Sequence, residues 1–149
     1  MIKILFFLLL INLGGIINAF SIENKILLKI DNEVITSIDV FNETKYLAAI
    51  NKKINEMSQE DIYKISIKSL IKEKIKKIEI KKNLSNNEFN IDELYLNKLI
   101  KNTYKKLGYN SLEEFNKHLK AYEINITMIK DKISTESLWN ELIYKKFSK

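Results

Sequence analysis

The chain has 149 residues, 46% of them hydrophobic, and no cysteine, which excludes disulfides, a thiol nucleophile and a thiolate metal site. Its 25 basic residues against 19 acidic ones give a formal net charge of +6, and every basic residue is lysine. Arginine, the usual reader of phosphates and base edges, is missing, so the excess charge reads as solvated helix faces rather than a nucleic-acid site.

Met1-Ile2-Lys3 supplies a positive start, Ile4 to Ile17 is almost unbroken apolar sequence, and Asn18-Ala19 leads into the polar stretch Ser21 to Lys25. This is the layout of a secretory signal peptide, and the apolar run is shorter than the roughly 20 residues a spanning helix needs. Cleavage is expected after Ala19, so that Phe20 begins the mature chain. Residues 1–19 are then a leader and residues 20–149 one exported domain, with no stable membrane insertion after cleavage.

Proline is absent, and of three glycines only Gly108 lies beyond the leader. Sandwiches, barrels and Gly-rich phosphate loops need positive-φ positions that such a chain hardly supplies, whereas helices do not. One short ribbon is expected first: residues 25–30 and 34–36 flank Asp31-Asn32-Glu33, where Asp and Asn accept turn conformations. Five helices should follow. Thr36 or Ser37 caps one reaching about Asn51, and Ser58 with Asp61 opens a long one to about Lys82. Tyr63, Ile67, Leu70, Ile71, Ile75 and Ile78 fall on one face of that helix. Asn90 with Glu93 starts the third, striped by Leu96, Leu99, Ile100, Thr103 and Leu107 and stopped by Gly108. Ser111 to Glu114 reads as a capping box for a fourth helix through Ala121, and Asn125 or Thr127 begins a fifth toward Lys146.

Little of this carries chemistry. His118 has no second histidine or cysteine with which to share a metal and is expected on the surface of the fourth helix. The acid pairs Asp92-Glu93 and Glu113-Glu114 sit at helix N-termini, where the macrodipole favours them. Ser134, Thr135 and Ser137 have no histidine nearby in sequence. Sequons at Asn42, Asn83 and Asn125 are no more than so Asn-rich a chain produces by chance. The many aromatics, among them Tyr46, Tyr63, Tyr95, Tyr104, Tyr109, Tyr122, Trp139 and Tyr144, fit either a core with an amphipathic rim or an apolar groove for extended peptides.

Four segments together resemble a known family. Lys29 to Val40 is similar to the opening of SurA-type periplasmic chaperones directly after their signal peptide. Leu70 to Ile75 resembles the long helix of that N-terminal domain. Gly108 to Phe115, and Ile133 with Glu136 to Ile143, resemble its later segments, in the same order. The family usually carries a glycine after the long helix and another before the last one, where Lys82-Asn83 and Glu123-Ile124 stand here.

The resemblance implies a mostly α fold, a short N-terminal β ribbon followed by about five helices packed as one domain. It implies a periplasmic holdase that binds unfolded outer-membrane protein precursors without ATP or cofactor. Family members usually continue into parvulin-type prolyl isomerase domains and then return a C-terminal segment onto the first domain. No residue of this sequence matches the isomerase site, so the alternatives are an N-terminal portion of a peptidylprolyl isomerase and a non-catalytic dimerisation or membrane-surface module. The last helix is apolar over a wide arc through Ile129, Ile133, Leu138, Trp139, Leu142, Ile143 and Phe147, which normally demands cover on both sides. An exposed apolar groove is therefore expected near Trp139 and Leu142, with Ile143, Tyr104 and Tyr122 as further client contacts. Client peptide or a second copy of the chain would fill it.

Overall fold

The computed structural model describes residues 23–83 and 91–148. The leader expected at residues 1–19, the Ala19–Phe20 junction and Asn90 lie outside them. A two-stranded antiparallel ribbon, β1 (Ile26–Ile30) and β2 (Glu33–Thr36), leads into five α-helices. These are α1 (Ser37–Ile50), α2 (Gln59–Asn83), α3 (Glu93–Lys106), α4 (Leu112–Ala121) and α5 (Ile126–Phe147), with a 3-10 turn at Lys52–Glu56 after α1. The fold class is the one expected: mostly helical, ribbon first.

The ribbon turns on two residues, with Asp31 at φ 54° and Ile30 opposite Glu33, so Glu33 belongs to the strand rather than to the loop. Lys29 faces Val34 and Leu28 faces Ile35, and a bulge follows before Ile26 meets Thr36. Thr36 ends the strand and caps α1 in the same step. Its hydroxyl accepts from the Asp39 N–H at 3.2 Å while the Asp39 carboxylate accepts from the Thr36 N–H at 2.8 Å. Ser58 accepts from the Asp61 N–H at 3.1 Å to open α2. Asp92, not Asn90, caps α3 by accepting from the Tyr95 N–H at 2.9 Å. Ser111 and Asn125 cap α4 and α5 as expected.

Two helices end in the same left-handed turn. After α3, Gly108 takes φ 91°, its N–H reaches the Lys105 carbonyl and the Tyr109 N–H reaches that of Tyr104. After α4, Glu123 takes φ 57°, its N–H reaches Lys120 and the Ile124 N–H reaches Leu119. Both close with an apolar contact across the turn, and both contacts enter the core.

Three apolar clusters hold the bundle. The largest joins Ala49 of α1, Ile100 and Tyr104 of α3, Phe115 and Leu119 of α4, Ile124 and Ile129 of α5's approach and first turn. A second sets Ile80 of α2 against Leu138 and Leu142 of α5, and a third sets Ile35 and Val40 against Leu70. The buried side chains of α2 are Ile62, Ser66, Leu70 and Ile80; of the expected face, Leu70 is buried and Ile67 and Ile71 pack against the third cluster, while Tyr63 and Ile75 are exposed. Ser66, fully buried, lies 2.9 Å from the Thr44 hydroxyl, and its small side chain permits close approach of α1 and α2.

Candidate binding surface

A two-stranded ribbon can bury only one face on the helices, and here that face is Ile35 with Ile30. Ile26, Leu27, Leu28 and Val34 stay exposed. The Ser37 N–H donates to the Lys25 carbonyl at 2.8 Å and the Ser37 hydroxyl to that of Glu23 at 2.6 Å, drawing the start of β1 alongside the start of α1. Ile38 and Phe41, three apart on α1 and so on one helical face, are exposed beside it, and the Lys45 ammonium sits 4.2 Å from the Phe41 ring centre. Exposed large apolar side chains therefore occur on both faces of the ribbon and on the first turns of α1.

Further exposed apolar side chains belong to the start of α3 and the end of α5. Leu94 is 81% exposed and Phe147 75%, with Tyr95 and Tyr144 also open to solvent. Tyr95 and Asn140 line one cleft, which brings the start of α3 beside the last turns of α5.

The residues singled out from sequence fall differently. Leu142, 3% exposed, is closed against Ile80 and Leu138, and Tyr104 is buried among Ile100 and Phe115. Trp139, Ile143 and Tyr122 are half-buried. The open groove expected at Trp139 and Leu142 is corrected accordingly: α5 is apolar over a wide arc because α3 and α4 cover one side and α2 the other. Leu94, Ile38 and Phe41 were missed because they fall off the apolar stripes of their helices, and that offset is the signal that could have found them.

Beside the second cluster, α2 meets α5 through charge. Lys132 of α5 pairs with Glu73 of α2, and its Nζ lies 2.6 Å from a carboxylate oxygen of Glu43 on α1 and 4.5 Å from the Tyr46 ring centre. Lys77 bridges Glu73 at 2.9 Å and Asp131 at 2.7 Å, and Lys76 pairs with Glu136. Ser69 donates to Glu43 at 2.6 Å. Burial raises the Glu73 carboxyl, but the hydrogen bonds from Lys132 and Lys77 outweigh it and hold it below the usual carboxylate range. Burial lowers the Lys77 ammonium, and the bonds to Asp131 and Glu73 more than reverse that. The Tyr46 hydroxyl is pushed well up, first by burial and then by Glu43, Glu73 and Glu136. Clefts of about 180 Å³ and about 320 Å³ open on either side of this seam.

His118 is not on the surface as expected. It is half-buried between the Tyr109 and Tyr122 rings, with Nε2 2.8 Å from the Ala49 carbonyl oxygen at the end of α1. Among the described residues no group of three His, Cys, Asp or Glu could hold a metal, and no helix is long and apolar enough to cross a membrane. Comparison with protein-family models, with curated proteins and with solved structures gives no match.

Proposed function

We propose that the chain is a periplasmic, ATP-independent holdase that binds unfolded outer-membrane protein precursors through exposed apolar and aromatic side chains. The observation that carries this reading is the exposure of Ile26, Leu27, Leu28, Val34, Ile38 and Phe41 on the ribbon and the first turns of α1. Exposed large apolar side chains concentrated on one part of a fold mark binding surfaces. Each side chain that a client covers contributes about 1.5–3 kcal/mol before the cost of association is subtracted. A few such contacts hold an unfolded segment and still let it go without fuel. The ordered resemblance of four segments to SurA-type chaperones supports the same reading.

The test is light scattering of a denatured β-barrel precursor diluted into buffer with and without the protein. Wild type should suppress aggregation, and Leu27→Lys with Phe41→Lys should lose that effect while keeping the thermal midpoint. Absence of suppression by wild type, or full suppression by the double variant, defeats the reading. Uncatalysed X-Pro isomerisation takes tens to hundreds of seconds, so a peptide assay separates this role from an isomerase, and no acceleration is expected.

Exposure on α3 and α5 favours a further role as a dimerisation module. Leu94 and Tyr95 of α3 and Tyr144 and Phe147 of α5 offer a second copy of the chain exposed apolar side chains. Mass by light scattering should rise with concentration and revert to that of a monomer in Phe147→Lys.

A further inference from the structure

The α2–α5 contact has an unusual division of labour. On α2, Glu73, Lys76, Lys77 and Ile80 share a face by their spacing of three, four and seven. Opposite them on α5 stand Asp131, Lys132, Glu136, Leu138 and Leu142. Glu73 pairs with Lys132, Lys76 with Glu136, and Ile80 with Leu138 and Leu142, so the two helices run in the same sense. Three cross-helix ion pairs therefore lie along the contact, and beyond them Ile80 packs with Leu138 and Leu142, with Ile91 and Trp139 against the same small cluster. The largest core cluster draws on α1, α3, α4 and α5 but not on α2.

Solvent enters from both flanks. The cleft of about 180 Å³ is lined by Tyr46, Glu73, Lys76, Lys132 and Glu136, and that of about 320 Å³ by Glu33, Lys77, Asp131 and Leu138. A contact made of charge with water on both sides is loosened by neutralising its carboxylates and by screening, where a closed apolar contact is not. Only Glu43 lies too deep for this, at 2% exposure, and its Lys132 partner belongs to the same network.

We propose that the α2–α5 seam is a charge latch over the second apolar cluster. When its carboxylates are neutralised, the C-terminal half of α5 lifts from α2 and uncovers Ile80, Leu138 and Leu142 while the larger cluster stays closed. The groups that govern release are Glu43 and Tyr46 on α1, Lys72, Glu73, Lys76, Lys77 and Lys81 on α2, and Asp131, Lys132 and Glu136 on α5, with Glu33 of β2 lining the wider cleft with Lys77 and Lys81. Release on acidification runs in the direction Glu73 requires: held below the ordinary carboxylate range by Lys132 and Lys77, it gives up its contribution as the pH falls through its folded value. The latch stands whether or not unfolded chains are clients, because it concerns this chain alone.

Because the chain contains no cysteine, a single introduced thiol reports on opening without interference. Leu142→Cys and, as a control in the large cluster, Leu119→Cys are each placed in wild type and in Glu73→Gln with Asp131→Asn, and alkylation is followed at one neutral pH. The neutralised seam should speed alkylation at position 142 at least ten-fold and leave position 119 unchanged, with helical content retained. Equal rates at 142 overturn the latch, and so does equal acceleration at both positions, which would mean global loosening. A second measurement does not depend on the variants: in wild type brought below about pH 4, the ordinary carboxylate range, amide protection around Leu138 and Leu142 should fall before that around Phe115 and Leu119. Simultaneous loss overturns the proposal.

Discussion

Lys132 of α5 reaches Glu43 of α1 with Nζ 2.6 Å from a carboxylate oxygen, and the two side chains are only 12% and 2% exposed. Glu43 satisfies its other oxygen with the Ser69 hydroxyl of α2, so three helices meet at one buried charge. Removing one partner of such a pair costs about 3–5 kcal/mol because the other charge is left desolvated. Lys132→Met should therefore lower the unfolding free energy by about that much in urea titrations. Adding Glu43→Gln, which removes the orphaned charge, should recover a large part of the loss. A double variant no more stable than Lys132→Met would show that Glu43 reaches water once its lysine is gone.

Acid should destabilise the fold in a defined direction. Glu73 and Glu33 both sit below the ordinary carboxylate range: burial works against this at Glu73 and is outweighed by Lys132 and Lys77, while at Glu33 the bond from Lys74 dominates. A depressed folded value means that stability is fully present above the unfolded value and lost as the pH falls through the folded one. Unfolding free energy should thus drop between about pH 5 and pH 2, starting from unfolded carboxylate values near 4. Glu73→Gln should flatten that drop, and a variant with the wild-type slope would remove Glu73 from the account.

Burial separates two leucines that the sequence does not distinguish. Leu142→Lys has to desolvate an ammonium group against Ile80 and Leu138, so it should cost at least as much as Leu142→Ala, about 2–5 kcal/mol. Leu94→Lys, at a position 81% exposed, should stay within about 0.5 kcal/mol of wild type. Chemical denaturation of both variants checks the contrast, and tolerance of Leu142→Lys would mean that the position is open in solution.

The paired left-handed turns make a second contrast. Gly108→Ala meets no atom within 4 Å, so its cost is conformational, about 1–2 kcal/mol for an L residue in that region. Glu123 already bears that strain at φ 57°, at the position where the resemblance implies a glycine. Glu123→Gly should therefore raise stability by relieving that backbone strain, an effect reduced by loss of its exposed pair with Lys45. Opposite signs for the two substitutions in thermal melts are the expected result.

The element plan was legible from residues alone because its signals are local. Thr36 with Asp39, Ser58 with Asp61, Ser111 and Asn125 each satisfy backbone donors within three residues, so their caps lie where the sequence puts them. Scarcity of glycine and absence of proline left a helical bundle as the available class. Which apolar side chains face inward was a tertiary decision. Leu142 and Trp139 looked like an open groove because α5 is apolar on several sides, but α2 approaches from one side and α3 with α4 from the other. His118 looked like a surface residue because nothing in its neighbourhood of sequence announces Ala49, sixty-nine positions earlier, or the two tyrosine rings around it. The charge seam was invisible for the same reason. In a chain with 25 lysines, Lys132 resembles any solvated cation until helix packing brings Glu43 and Glu73 to it. Periodicity and caps act over one or two turns and are written in sequence, whereas burial of a charge depends on which helices surround it.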